Sequence, residues 1–309
     1  HIKKIKKDLK VTMKIFDCFM YFDEDLILDL RLNYLDPFVD HFVIVESIYN
    51  HNGESRKPKF DIKKFEKFKD KITYLLVDRE GENFLDINDN DVDDQKAGKK
   101  LMNALIRENF QRNFILNGLI QANDEDWVII SDLDEIPNLD MNDLKQCKNE
   151  IVFFKQTMIY YKLNLFLEDF PWIGSKACRK KNLKSPQWLR NIKDRNYPWW
   201  RFDVFFSDTK YSNIKIFKNG GWHFSYIKSP EDIEKKLKSY LHHVEYELNP
   251  LGKEKISELI NQKKAVYNLR VDSRLNKFKE GDELKKLDLN LLPKYVRDNM
   301  NIFKDWIEK

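Results

Sequence analysis

The chain has 309 residues, 42% of them hydrophobic, which is enough for one large core. Its 55 basic and 51 acidic residues leave a net charge of +4, a poor electrostatic footprint for nucleic acid but compatible with a small phosphorylated ligand. The three cysteines, Cys18, Cys147 and Cys178, show no CxxC spacing, which argues against a disulfide framework or a zinc site and for a reducing, cytoplasmic setting.

Residues 1–13 are basic and lead into no apolar run, so they read as an extension or tag remnant rather than a signal peptide. No window approaches the roughly 18 apolar residues that span a bilayer. The apolar run at 14–21 predicts a buried strand. Asp23 then offers an N-cap for a helix to about Leu35, where Asp36-Pro37 stops it. Residues 41–46 and 72–77 predict the second and third strands, with a polar loop at 49–58 between them. The acidic tract 86–94 reads as loop, and a long helix is expected from about Ala97 to Gln121. A fourth strand, Trp127 to Ser131, exits through Asp132 to Pro137. Short strands at 151–155 and 214–217 flank the aromatic-rich stretch 160–200, and a Lys/Glu-rich, mostly helical remainder follows.

This alternation predicts an α/β fold with a mixed, mostly parallel central sheet flanked by helices. The expected organisation is a catalytic domain at 14–230 with a helical region at 231–309 packed on it. Ligands of such sheets bind beyond the carboxyl ends of the strands. That rule aligns 17–22, Glu46, Asp78 and Asp132 to Glu135 along one rim.

Asp132-Leu-Asp134 follows an apolar strand directly, and residues i and i+2 of an extended segment point the same way. Two carboxylates so placed suit a hard cation, Mn²⁺ or Mg²⁺, able to bridge the phosphates of a nucleotide sugar. Glu135 adds a third carboxylate, expected as support. The same strand-DxD pattern also fits a phosphatase of the haloacid dehalogenase kind, with Asp132 as nucleophile. A non-catalytic carbohydrate-binding protein is the third reading, since aromatics reach 14%.

Several blocks resemble glycosyltransferase family 17 in the same order. They are Phe16-Asp-Cys-Phe-Met-Tyr-Phe22, Leu30-Arg-Leu-Asn-Tyr-Leu-Asp-Pro37, Val39-Asp-His-Phe-Val-Ile-Val-Glu46, Gln111-Arg-Asn113, Ser131-Asp-Leu-Asp-Glu-Ile-Pro137, Gly220-Gly-Trp-His-Phe-Ser-Tyr226 and Leu292-Pro-Lys-Tyr295. The resemblance implies a GT-A type, Rossmann-like fold, a UDP-sugar donor (UDP-GlcNAc foremost), a divalent metal and inversion at the anomeric carbon. The implied partners are the nucleotide-sugar donor and a glycan acceptor. The sequence sets no oligomeric state.

Candidate roles follow. Asp134 is the leading metal ligand; Asp132 binds metal directly or through water, or meets the ribose. The resemblance adds His223 as a late metal or diphosphate ligand, since neutral imidazole suits Mn²⁺. Arg112, on the long helix, is a phosphate contact or the partner that orients Asp132 or Asp134. Asp17, Glu46 and Asp78 are candidates to accept from uracil or ribose, or helix caps, with Arg31 a possible partner of one of these acids. Phe19 or Tyr21 would line the base, and Trp222 would pack over the donor or within the core. An inverting transfer needs a general base. Asp203 is the first candidate, Glu168 and Asp169 the second. Trp172, Trp188, Trp199 and Trp200 are candidate platforms for an acceptor sugar.

Overall fold

The computed structural model describes residues 13–198, 200–240, 243–268 and 281–309. The N-terminal extension, Met13 apart, and Trp199 lie outside the described residues.

Four predicted strands form where the apolar runs stand: β1 (Ile15–Met20), β2 (His41–Ser47), β3 (Ile72–Val77) and β4 (Trp127–Asp132). They pair in parallel in the order β3-β2-β1-β4. Because successive side chains point to opposite faces, each strand feeds two cores. Ile15, Phe19, Phe42, Ile44, Trp127 and Ile129 enter one. Phe16, Cys18, Val43, Val45, Val128 and Ile130 enter the other. Helix α1 (Asp25–Leu35) covers the first face with Leu28, Leu32 and Leu35. It begins two residues after Asp23, whose carboxylate is held by Lys59 and Lys228 and caps nothing. Helix α2 (Asp93–Asn113) lies on the second face. Its predicted tail becomes a 3₁₀ turn, Phe114–Gly118, pressed against β2. A Cβ on Gly118 would stand 2.4 Å from Val43 Cγ1, so the close approach needs glycine.

Beyond β4 the sheet changes character. The further strands are β5 (Glu135–Pro137), β6 (Ile151–Tyr160), β7 (Leu165–Arg179), β8 (Ile214–Ser225) and β9 (Leu284–Lys286). β7 runs antiparallel to β4, β6 and β9, and β5 antiparallel to β8, while β6 and β8 are parallel. The sheet is therefore mixed, and not mostly parallel as expected. The C-terminal part is also not only helical. It supplies β9 to the sheet and Leu292, Val296 and Phe303 to the first core. Its first helix, α5 (Pro230–Ser239), is capped by the Ser229 hydroxyl on the Asp232 N–H. Two short helices precede it, α3 (Pro186–Asn191) and α4 (Phe202–Phe205). No helix among the described residues is long and apolar enough to cross a membrane.

Gly221 ties the two halves together at β5 and β8. Its φ is +125°, and a Cβ there would lie 2.1 Å from the Ile136 carbonyl and 2.8 Å from the Asn138 N. Gly221→Ala is expected to destabilise the protein by about 3 kcal/mol or more, since positive-φ strain adds to a clash with backbone. A urea midpoint within 0.3 M or so of the parent protein would contradict this.

Candidate active site

The turn after β4 carries the acidic motif, and one buried arginine builds it. Arg31, on α1, faces the sheet where Asp17 of β1 points back at it. Its Nε and Nη2 donate to the two Asp17 oxygens at 2.8 and 2.6 Å. Its Nη1 donates to the carbonyls of Asp132, Leu133 and Glu135 at 3.1, 3.0 and 2.8 Å. The guanidinium also lies 4.5 Å over the Phe19 ring. All three of these side chains are fully buried. Asp17 and Phe19, expected at the nucleotide, are instead the foundation of the motif.

Glu135 is fully buried beneath Asp132. It accepts from the Asp132 N–H at 2.8 Å, the Trp172 indole at 2.7 Å and Arg190 at 2.6 and 3.0 Å. It thus supports the motif, as expected. Asp132 has one oxygen on Arg112 at 3.0 Å and the other on Arg190 at 3.2 Å. Burial, which would raise the Asp132 pKa, is outweighed by Arg190 and then Arg112, so the carboxyl is held below its ordinary range. Arg112 therefore takes the orienting role rather than being left free for phosphate. Glu135→Gln removes the charge that anchors Arg190. It is expected to lower turnover about 10- to 100-fold, the range seen when a supporting partner of a site residue is lost. Steady-state kinetics on the refolding-competent variant checks this; a change under threefold contradicts it.

Asp134 points elsewhere. Its Oδ1 lies 3.5 Å from His223 Nε2 and its Oδ2 3.4 Å from Lys236 Nζ. The Phe224 N–H donates to its carbonyl at 2.8 Å, and Glu135 pairs with His223 in register, so β8 delivers the imidazole directly. Burial alone would raise the Asp134 pKa, but Lys236 and then His223 pull it well below the carboxylate range. Burial would lower the His223 pKa, but Asp134 raises it above the ordinary value. His223 Nδ1 is buried with no hydrogen-bond partner among the described residues.

Asp132, Asp134 and Lys236 border a half-open cleft. It lies past the carboxyl ends of β1, β2 and β4, where the strand order reverses, as the topology rule requires. Tyr21, Phe22 and Glu24 form one wall and Ser47, Tyr49, Asn50 and His51 a second. Gln111, Asp132 to Asp134, Lys236 and Tyr240 also line it. Glu24 bonds Lys236 at 3.2 Å and lies 3.6 Å from Lys228. Burial would raise its pKa, but Lys236 and Lys228 lower it to about 2. The 48–56 loop is held by Asn50 N to Glu54 O at 2.8 Å and by Arg56 Nη1 to Ser47 O at 2.9 Å. Among the described residues, Asn50 Oδ1 and His51 Nδ1 are buried there with no hydrogen-bond partner.

Several expected residues stand outside the cleft. Glu46 is fully buried, and its oxygens are used by the Lys59 and Phe60 N–H groups, Tyr74 and Arg56. Asp78 is exposed past β3 and does not line the cleft. Trp222 faces away from His223, as alternate strand residues must. It donates to the Leu291 carbonyl at 2.8 Å and packs edge-on to Tyr34 at 5.3 Å. None of the three candidate bases lines the cleft. Asp203 is paired with Arg201 at 2.8 Å and Lys210 at 2.7 Å, which lower its pKa to about 2. Glu168 is exposed and paired with Lys285, and Asp169 is exposed at a φ of +55°. Trp172 does reach the site, with its ring 5.2 Å from that of His223. Trp188 instead donates to the Asp208 carbonyl, and Trp200 is 65% exposed.

Arg190, Lys236 and Glu24 were not anticipated. Lys236 sits in a Lys/Glu-rich helix whose other lysines, such as Lys238, pair at the surface, and nothing local marks it out. Arg190 comes from a six-residue helix with no motif of its own.

Among the described residues no three carboxylate, imidazole or thiol groups converge as a cation cage. Two donors do converge, Asp134 and His223. Asp132, expected as a third, has both oxygens on guanidinium groups. A carboxylate and an imidazole fit Mn²⁺ better than Mg²⁺, which favours oxygen ligands, when phosphate oxygens and water fill the remaining positions.

A cleft past the carboxyl ends of parallel strands, lined by Glu24, Asp132, Asp134 and Lys236, is a characteristic ligand position of α/β proteins. A sequence model described as Glycosyltransferase family 17 matches residues 3–306, and the chain belongs to that family of glycosyltransferase enzymes. No curated protein matches the chain.

Proposed function

We propose that the chain moves a sugar, GlcNAc foremost, from a UDP-sugar to a glycan hydroxyl, with inversion, on a GT-A type scaffold. The observation that carries this reading is the approach of His223 to Asp134, a lining residue of the cleft, at 3.5 Å, beside an Asp132 fixed by two arginines. Asp134 and His223 would hold Mn²⁺ or Mg²⁺, which when bound neutralises the diphosphate that leaves with the nucleotide. Asp132, immobilised by Arg112 and Arg190, is oriented to accept from a ribose hydroxyl or a metal-bound water. Asn50 Oδ1, buried at the far wall with no partner among the described residues, is an acceptor suited to the N–H of a nucleobase. Trp172, beside His223, offers an apolar face to the acceptor.

The phosphatase reading is less favoured, because ion pairing of both Asp132 oxygens to Arg112 and Arg190 lowers their nucleophilicity. The test of the donor is UDP release from a panel of UDP-sugars with Mn²⁺ and a mixed glycan acceptor pool. UDP-GlcNAc is expected to give the fastest release, and no release from any UDP-sugar would reject the proposal.

A further inference from the structure

Lys236 enters the cleft from α5, and its partners come from distant parts of the chain. Its ammonium lies 3.2 Å from Glu24 Oε1, after β1, and 3.4 Å from Asp134 Oδ2, after β4. It also lies 5.7 Å over the Tyr226 ring. The lysine and both acids line the cleft, and the Lys236 side chain is 23% exposed. Its partners are unequal. Glu24 has a second ammonium nearby, Lys228 at 3.6 Å. Among the described residues, Asp134 has His223 alone on its other oxygen. In the ligand-free protein Lys236 therefore supplies much of the counter-charge of the carboxylate proposed to take the metal.

We propose that Lys236 is a displaceable counter-ion that couples metal binding to diphosphate binding. This rests on the reading of Asp134 and His223 as the metal ligands. A divalent cation and an ammonium against one carboxylate repel each other. Without nucleotide, Lys236 holds Asp134 and disfavours the divalent ion. A nucleoside diphosphate brings negative charge to the same place. Lys236 then swings from Asp134 to a diphosphate oxygen while keeping Glu24, and Asp134 is released to the metal. Ion and nucleotide each favour the other, and the coupling is reciprocal. Lys236 acts here as a positioning residue for Asp134 and a contact for the diphosphate.

The test is an electron paramagnetic resonance titration of free Mn²⁺ against the whole chain, with and without UDP. In the parent protein UDP is expected to tighten Mn²⁺ binding strongly. In Lys236→Met, Mn²⁺ alone is expected to bind about tenfold more tightly, and the tightening by UDP to shrink about tenfold, both within the usual range of coupling factors. Lys236→Gln, which can still bond Glu24 and so guards against a folding defect, is expected to shift both quantities the same way. Unchanged Mn²⁺ affinity and unchanged coupling in the folded variants overturn the role of Lys236 and leave the proposed function standing. A parent protein that binds no Mn²⁺ even with UDP overturns the proposed function itself.

Discussion

Asp134→Ala is expected to lower metal-supported transfer by about 10³-fold or more, with little change in folding stability. Asp134 is the carboxylate on which the imidazole of His223 and the ammonium of Lys236 converge. Loss of charge stabilisation on a leaving diphosphate amounts to about 4 kcal/mol, and each 1.36 kcal/mol is tenfold in rate. The fold is spared because the Asp134 contribution to the turn is its backbone. Its carbonyl accepts from the Phe224 N–H, and the alanine keeps that bond. Lys236 retains Glu24 and is not left unpaired. Initial rates at saturating Mn²⁺, with circular dichroism as the folding control, decide the point. A variant with more than a tenth of parental activity contradicts the assignment of Asp134.

Arg31→Met is expected to act oppositely, through the fold. It leaves the fully buried Asp17 carboxylate without its cation and three carbonyls of the acidic turn without their shared donor. Removing one member of a buried pair costs about 3–5 kcal/mol. The Glu135 carbonyl keeps the Ser175 hydroxyl at 2.9 Å, so the carbonyls of Asp132 and Leu133 are the ones left without it, at about 1–3 kcal/mol each. That sum matches the whole stability of an ordinary domain, about 5–15 kcal/mol. Arg31→Met should therefore yield mostly insoluble or urea-labile protein. The double variant Asp17→Leu with Arg31→Met should recover the ion-pair part, since apolar replacement of a buried pair is often neutral. It should not recover the carbonyl part. A double variant as stable as the parent would show that the turn does not depend on Arg31. Urea denaturation followed by tryptophan fluorescence separates the two cases.

β1, β2 and β4 were legible because they are buried on both faces and read as largely apolar runs, and β3, only half-buried, because its own run is apolar. The bounds predicted for residues 72–77 match β3. β7 was not legible, because its outer stretch carries Glu168, Asp169 and Pro171 in exposed positions and breaks any regular pattern. β5 spans three residues that local reading assigns to a loop, and only pairing with Gly221 to His223 makes it a strand. The acidic motif was visible because adjacent carboxylates at a strand end are a local signal. Arg112 was anticipated as a possible orienting partner, and Glu135 as support. The errors share one cause. Asp17 and Glu46 do stand on the first two strands, but strand position does not tell which face or which depth a carboxylate occupies. Asp17 points to α1 and Arg31, and Glu46 is enclosed by Arg56, Tyr74 and the 59–60 backbone. The missing cations, Lys236 and Arg190, lie more than 50 residues from the motif and arrive by tertiary packing alone.

The most direct test of the central claim is a calorimetric titration of UDP into the whole chain, with Mn²⁺ and with the metal chelated. Binding with Mn²⁺ that weakens at least tenfold on chelation, and is lost in Asp134→Ala, is the predicted result. Equal UDP binding with and without metal, or in Asp134→Ala, would contradict a nucleotide-sugar site built on Asp134 and His223.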